Sequence, residues 1–131
     1  MKALSFLILL IILAGCKENE TTVQTPKNQY KYSVNVIFQS GFQSDSVIVK
    51  ADTDVVFLGI AKSDSIHGFP NGCVFNPTKE FHTLSVEIPM MHITNDTVVF
   101  IQTDAGTRID AHLDRQMRKM TFDINYIIPQ N

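Results

Sequence analysis

The chain has 131 residues, 11 Lys and Arg against 13 Asp and Glu, a formal charge of −2, two cysteines and no tryptophan. That length gives one domain with its own core, and no run of basic residues offers the electrostatic footprint of a nucleic-acid binder.

Lys2 is followed by an apolar stretch from Ala3 to Ala14 that only Ser5 interrupts. It is shorter than the ~20 residues a spanning helix needs and suits the core of a secretory signal. Ala14 and Gly15 then stand directly before Cys16. Leu13-Ala14-Gly15-Cys16 resembles the lipobox of bacterial lipoproteins. The resemblance implies a diacylglycerol thioether on Cys16, cleavage before that residue, and a membrane partner reached through the lipid anchor. Two or three acyl chains, at ~0.8 kcal/mol per buried CH₂, hold a protein to a bilayer without a spanning helix. The implied organisation is a signal peptide over 1–15, a lipidated Cys and flexible tether over 16–29, and a folded domain over 30–131. With Cys16 taken by lipid, Cys73 is left single, which excludes an intramolecular disulfide. Its setting in Cys73-Val74-Phe75 reads as a buried structural thiol.

Lys17 to Asn28 is polar and aperiodic, and reads as a disordered tether with a reach of roughly 20 Å. Lys17 stands where some bacteria place the Asp that retains a lipoprotein in the inner membrane. The resemblance therefore implies the outer membrane. Lys17-Glu18-Asn19-Glu20 partly resembles the acidic export signal of surface lipoproteins.

From Tyr30 the pattern turns to period two. Tyr30, Tyr32, Val34, Val36 and Phe38 alternate with polar residues and predict a half-buried strand. Gly41 to Asp45 is expected to turn, and Ser46 to Ala51 to form a second strand. Asp52-Thr53-Asp54 is a tight turn. It opens like a calcium loop but lacks that motif's third acid and glycine. Val55 to Ala61, apolar on both faces, predicts a central strand. Ser63 to Gly72 is a loop, Cys73 to Phe75 a short strand, and Leu84, Val86 and Ile88 a strand stopped by Pro89. Thr97 to Gln102 and Met120 to Tyr126 are further strands. Residues 107–120 fit a hairpin turning near Asp114 to Lys119. Helical spacing of Ile109, Leu113, Met117 and Met120 leaves a helix open. Seven or eight strands with regular turns predict an all-β fold, a small antiparallel β-sandwich. The pattern resembles the immunoglobulin-like or transthyretin-like sandwiches of envelope lipoproteins, without the Cys and Trp signature of antibody domains.

Catalysis has no clear vehicle: there is no G-x-S-x-G, and the four histidines stand in unrelated contexts. No enzyme activity and no cofactor are expected. The sharpest metal reading is Cu(I) on the soft ligands Met90, Met91 and His92, with Met117, Met120 and Cys73 in support. No spaced ligand motif accompanies them, so ordinary packing is the competing reading. Ser46, Ser65 and Thr97 each follow Asp and precede Val or Ile. They resemble O-glycan acceptors on exported proteins of one Gram-negative group, although a turn entering a strand spells the same tripeptide. Ile66, His67 and Phe69, in a loop that Gly68 and Pro70 keep out of a sheet, form a candidate contact loop for an unidentified protein or glycan. The reading that follows is a non-catalytic, lipid-anchored binding or accessory module of the cell envelope. An immunity or inhibitor lipoprotein and a copper-binding protein are the alternatives.

Overall fold

A computed structural model describes residues 30–63 and 71–130. The anchor expected at Cys16, the expected tether, the candidate acceptor Ser65 and the candidate contact residues Ile66, His67 and Phe69 lie outside the described residues.

Eight strands make two four-stranded sheets: β1 Val34–Ser40, β2 Gln43–Ala51, β3 Asp54–Lys62, β4 Gly72–Phe75, β5 Phe81–Ile88, β6 Ile93–Phe100, β7 Gly106–Asp114 and β8 Lys119–Ile127. The first sheet runs β4-β1-β7-β8 and the second β3-β2-β5-β6. All neighbours are antiparallel except β1 and β7, which pair in parallel. The fold is the small β-sandwich that the strand spacing predicts. The hairpin reading of 107–120 also holds: β7 and β8 pair from Gly106 with Ile127 to Asp114 with Lys119.

The alternation in β1 decides its pleat. Val34, Val36 and Phe38 are fully buried while the residues between them face outward. Val47 and Val49 on β2, Leu84, Val86 and Ile88 on β5, and Ile109 and Ala111 on β7 close on them from the other strands. Each Val, Leu and Ile side chain among them contributes ~1.5–3 kcal/mol on burial. Phe38 packs its ring 5.1 Å from Phe42 and 5.8 Å from Phe57.

Three expectations are corrected. The stretch from Gly41 to Asp45 is not one turn: only Gly41 and Phe42 separate β1 from β2, and they carry the chain from one sheet to the other. Phe42 is buried there, and Gly41 has φ +83° with its Cα side against the Leu113 carbonyl, a place where a Cβ cannot fit. β3 is an edge strand, not a central one. Its second apolar face, Val55, Leu58 and Ile60, is solvent-exposed, and an exposed apolar face spells the same sequence as a buried one. β6 begins at Ile93, four residues before the predicted Thr97, because a 3₁₀ turn over Pro89–Met91, with His92 at positive φ, returns the chain at once.

The two open sides of the sandwich are joined by asparagines. Asn71 accepts the Lys62 N–H (2.9 Å) and donates to the Ile60 carbonyl (2.6 Å), while its own carbonyl accepts the Phe38 N–H (2.9 Å). Across the molecule Asn95 donates to the Met120 carbonyl (2.7 Å), and Arg118 donates to the Met91 carbonyl. Arg115, in the β7–β8 turn, donates to both Asp45 oxygens (3.0 and 2.8 Å) and to the Gly41 carbonyl (3.3 Å), tying that turn to the crossover between sheets.

Candidate functional site

The outer face of the first sheet carries a continuous polar array. Alternation on β7 sends Ile109, Ala111 and Leu113 inward, so Arg108, Asp110 and His112 stand outward in a row. The parallel register sets Asp110 beside Ile37 and His112 beside Ser40; the antiparallel one sets Asp110 beside Asp123. Asp110 is the hub. Its Oδ1 accepts from Gln39 Nε2 and Arg108 Nε, each at 2.8 Å, and its Oδ2 from Asn125 Nδ2 at 3.3 Å. Its side chain is only 13% exposed under these donors. The amide oxygens of Gln39 and Asn125 and the terminal nitrogens of Arg108 are not used in these bonds, and they can meet a polar partner in a fixed geometry.

Next to the hub, Ser40 Oγ lies 2.9 Å from His112 Nδ1, and His112 Nε2 lies 3.2 Å from Asp123 Oδ2. Ser40 and His112 border an open depression of about 690 Å³, also lined by Gly41, Arg115, Lys119 and Thr121. The order of groups is that of a nucleophilic triad. The surroundings differ from one. Asp123 is 73% exposed, so its hold on the imidazole is weak in water, and Ser40 ends a strand instead of occupying a strained turn. The arrangement orients His112 and Ser40 as hydrogen-bonding groups on the rim of the depression.

A second histidine is turned wholly inward. His82, 4% exposed, accepts the Thr78 N–H at Nε2 (3.2 Å), which leaves its proton on Nδ1 to donate to Asp52 (2.7 Å). Asp52, at positive φ in the β2–β3 turn, also meets Lys79 (3.2 Å) and accepts the Thr83 N–H (3.0 Å). Burial acts to raise the Asp52 pKa. The Thr83 N–H, the His82 ring and Lys79 outweigh it and hold that pKa below the usual 3.8. The turn that opens like a calcium loop therefore spends its first carboxylate on a strand-joining clip.

The other sequence candidates are scattered. Met90 is 84% exposed, Met91 packs against the core and His92 faces solvent. Met120 is buried and Met117 exposed. Among the described residues no three His, Cys, Asp or Glu side chains gather as metal ligands. Cys73 is buried, and burial pushes its thiol up to about 11, as expected of an unreactive structural thiol. Ser46 is half-buried on β2, and Thr97 is half-buried on the inward side of β6. No described helix is long and apolar enough to cross a membrane.

The outer face of the second sheet exposes two apolar groups, Leu58 and Ile60 beside Ile48, and Val98 beside Phe81 and Phe100, whose rings lie 5.2 Å apart. The polar row Lys50, Ser85 and Asp96 separates them.

Sequence reading singled out none of Gln39, Ser40, Arg108, Asp110, His112, Asp123 or Asn125 as a site. The period-two pattern places Arg108, Asp110 and His112 on one face. Their partners come from β1 and β8 and depend on register. Comparison of the chain with known protein families, with curated proteins and with solved structures gives no match in any of the three.

Proposed function

We propose that the protein is a lipid-anchored module of the cell envelope, held at the outer membrane through Cys16, that binds a polar partner without catalysis on the outer face of the β4-β1-β7-β8 sheet. The observation that carries this reading is the pre-ordered array around Asp110. Three donors fix one partly buried carboxylate, and their remaining hydrogen-bonding groups are held in place at no further entropic cost when a partner arrives. A rigid sheet presents such groups more precisely than a loop does. The lipobox-like Leu13 to Cys16 supports the anchor.

The test is cross-linking of the anchored protein in its own membranes, followed by capture. The double substitution Gln39→Ala and Arg108→Ala removes two exposed-side donors and leaves the core untouched. It should lower partner recovery about tenfold or more, as the loss of two or three hydrogen bonds, one of them to a charged group, would. Undiminished recovery with an intact fold would place the contact surface elsewhere. Ser40 should remain unlabelled by a fluorophosphonate probe; stoichiometric labelling would turn the reading towards an acyl hydrolase.

A further inference from the structure

The edges of the two sheets are closed by different devices. β4 is four residues long and Pro77 follows it shortly after. On β3 the Asn71 side chain takes the Ile60 carbonyl and the Lys62 N–H. On β6 the Asp96 N–H is taken by Asn95 Oδ1 at 3.1 Å. β8 has no such device from Thr121 to Ile127. Its ladder to β7 is regular throughout, and among the described residues no backbone hydrogen bond reaches it from outside its sheet. The stretch contains no Pro and no Lys. Its inward residues are also incompletely covered: Phe122 and Ile124 are half-buried and Tyr126 is 39% exposed, where Ile109 and Ala111 beside them are fully buried. A straight, uncapped edge with apolar side chains is a template for another strand.

We propose that β8 pairs antiparallel with β8 of a second copy of this chain, about a twofold axis at Ile124, so that two first sheets join into one of eight strands. The register follows from the sequence of the edge. Asn95 already takes the Met120 carbonyl at one end, and Pro129 has no N–H to offer beyond the other. The free stretch is therefore 121–127, and its midpoint is Ile124. Rotation about that residue sets Phe122 against the partner's Tyr126, Asp123 against the partner's Asn125 and Ile124 against the partner's Ile124. The one acid of the stretch meets an amide. An axis at Asp123 would oppose two carboxylates, and an axis at Asn125 would set Asp123 against an isoleucine, so both are disfavoured by cross-strand pairing. The contact is isologous and closes at two copies.

Sedimentation velocity of the full chain in detergent of matched density, over a range of concentrations, tests this. The parent should show a reversible monomer–dimer equilibrium. Asn125→Asp sets a second carboxylate opposite the partner's Asp123, twice by symmetry, and should weaken the dimer about tenfold. Asn125→Lys sets an ammonium there and should tighten it. Asn125 is exposed and makes one described bond, at 3.3 Å, so both variants should fold, which circular dichroism checks. In the parent, amide exchange within 121–127 should also slow as concentration rises. A chain that is monomeric at every concentration overturns the proposal, as does a dimer indifferent to both substitutions. A monomer that instead takes up an unrelated extended peptide on β8 overturns the second copy as occupant.

Discussion

Both ring nitrogens of His82 are committed inside the fold, and the carboxylate it serves is the more informative partner. A carboxyl group whose pKa is lowered by folding adds stability above its unfolded pKa. That stability disappears as the pH falls through the folded value. For Asp52 the window therefore lies below about pH 4. Melting temperature should fall steeply there in the parent. In Asp52→Asn it should start lower at neutral pH and show a shallower acid slope. Parallel curves would mean that the clip contributes nothing. Thr107 makes the opposite case. Its side chain is 1% exposed and Oγ1 has no hydrogen-bond partner among the described residues. Thr107→Val keeps the shape and removes the unsatisfied hydroxyl, so it should raise stability by ~1 kcal/mol in a denaturant titration. A loss of stability would reveal an unseen partner for that hydroxyl.

Among the elements, β1 was legible and β3 was not, for one physical reason. Period-two alternation reports which side chains share a face, and on β1 the apolar face is the buried one. Val36→Asp places a charge where nothing is exposed, at a cost of several kcal/mol against a total near ~5–15 kcal/mol, and should unfold the domain. Phe122→Asp, on the half-open β8 edge, should be milder. Lys31→Asp should lose at most ~1 kcal/mol, the worth of its place 5.3 Å over the Tyr32 ring. Chemical denaturation of the three variants ranks them; a Lys31→Asp as disruptive as Val36→Asp would mean that the Lys31 side chain does more than lie over the Tyr32 ring. β3 misleads because alternation cannot tell an apolar face that meets a core from one that meets water. Phe42 was hidden for a related reason. Its neighbours Gly41, Gln43, Ser44 and Asp45 spell a turn, and only the crossing between sheets turns that single ring inward.

At the scale of the whole molecule, the sandwich was readable because strand spacing is a local property. The polar array around Asp110 was not, because its members come from β1, β7 and β8 and meet only through the register of non-neighbouring segments. The proposed anchor rests on the chain's first residues alone. On that proposal Cys16→Ala removes the sulfur that carries the thioether, so the variant should lose lipid mass and leave the membrane fraction or remain unprocessed. Unchanged fractionation and mass would remove the lipoprotein reading.

The parallel pairing of β1 with β7 carries a consequence in time. β2 with β3, β5 with β6, and β7 with β8 are hairpins that can close within microseconds. β1 is the second strand of its sheet in space but the first in the chain, and its partners are β4 and the far-off β7, with Val34 set against Thr107. That contact closes all the strands from β1 to β6 into one loop, and such closures slow folding far more than they alter final stability. Val34, Val36 and Phe38 find their cover on the facing sheet, from Val47 and Val49 on β2 and Leu84, Val86 and Ile88 on β5, so it is the backbone edge of β1 that waits for β7. During synthesis that edge stays unpaired until β7 has emerged. Refolding should be slow for a chain of this size, and substitutions that weaken the β1–β7 contact should retard refolding more than they accelerate unfolding.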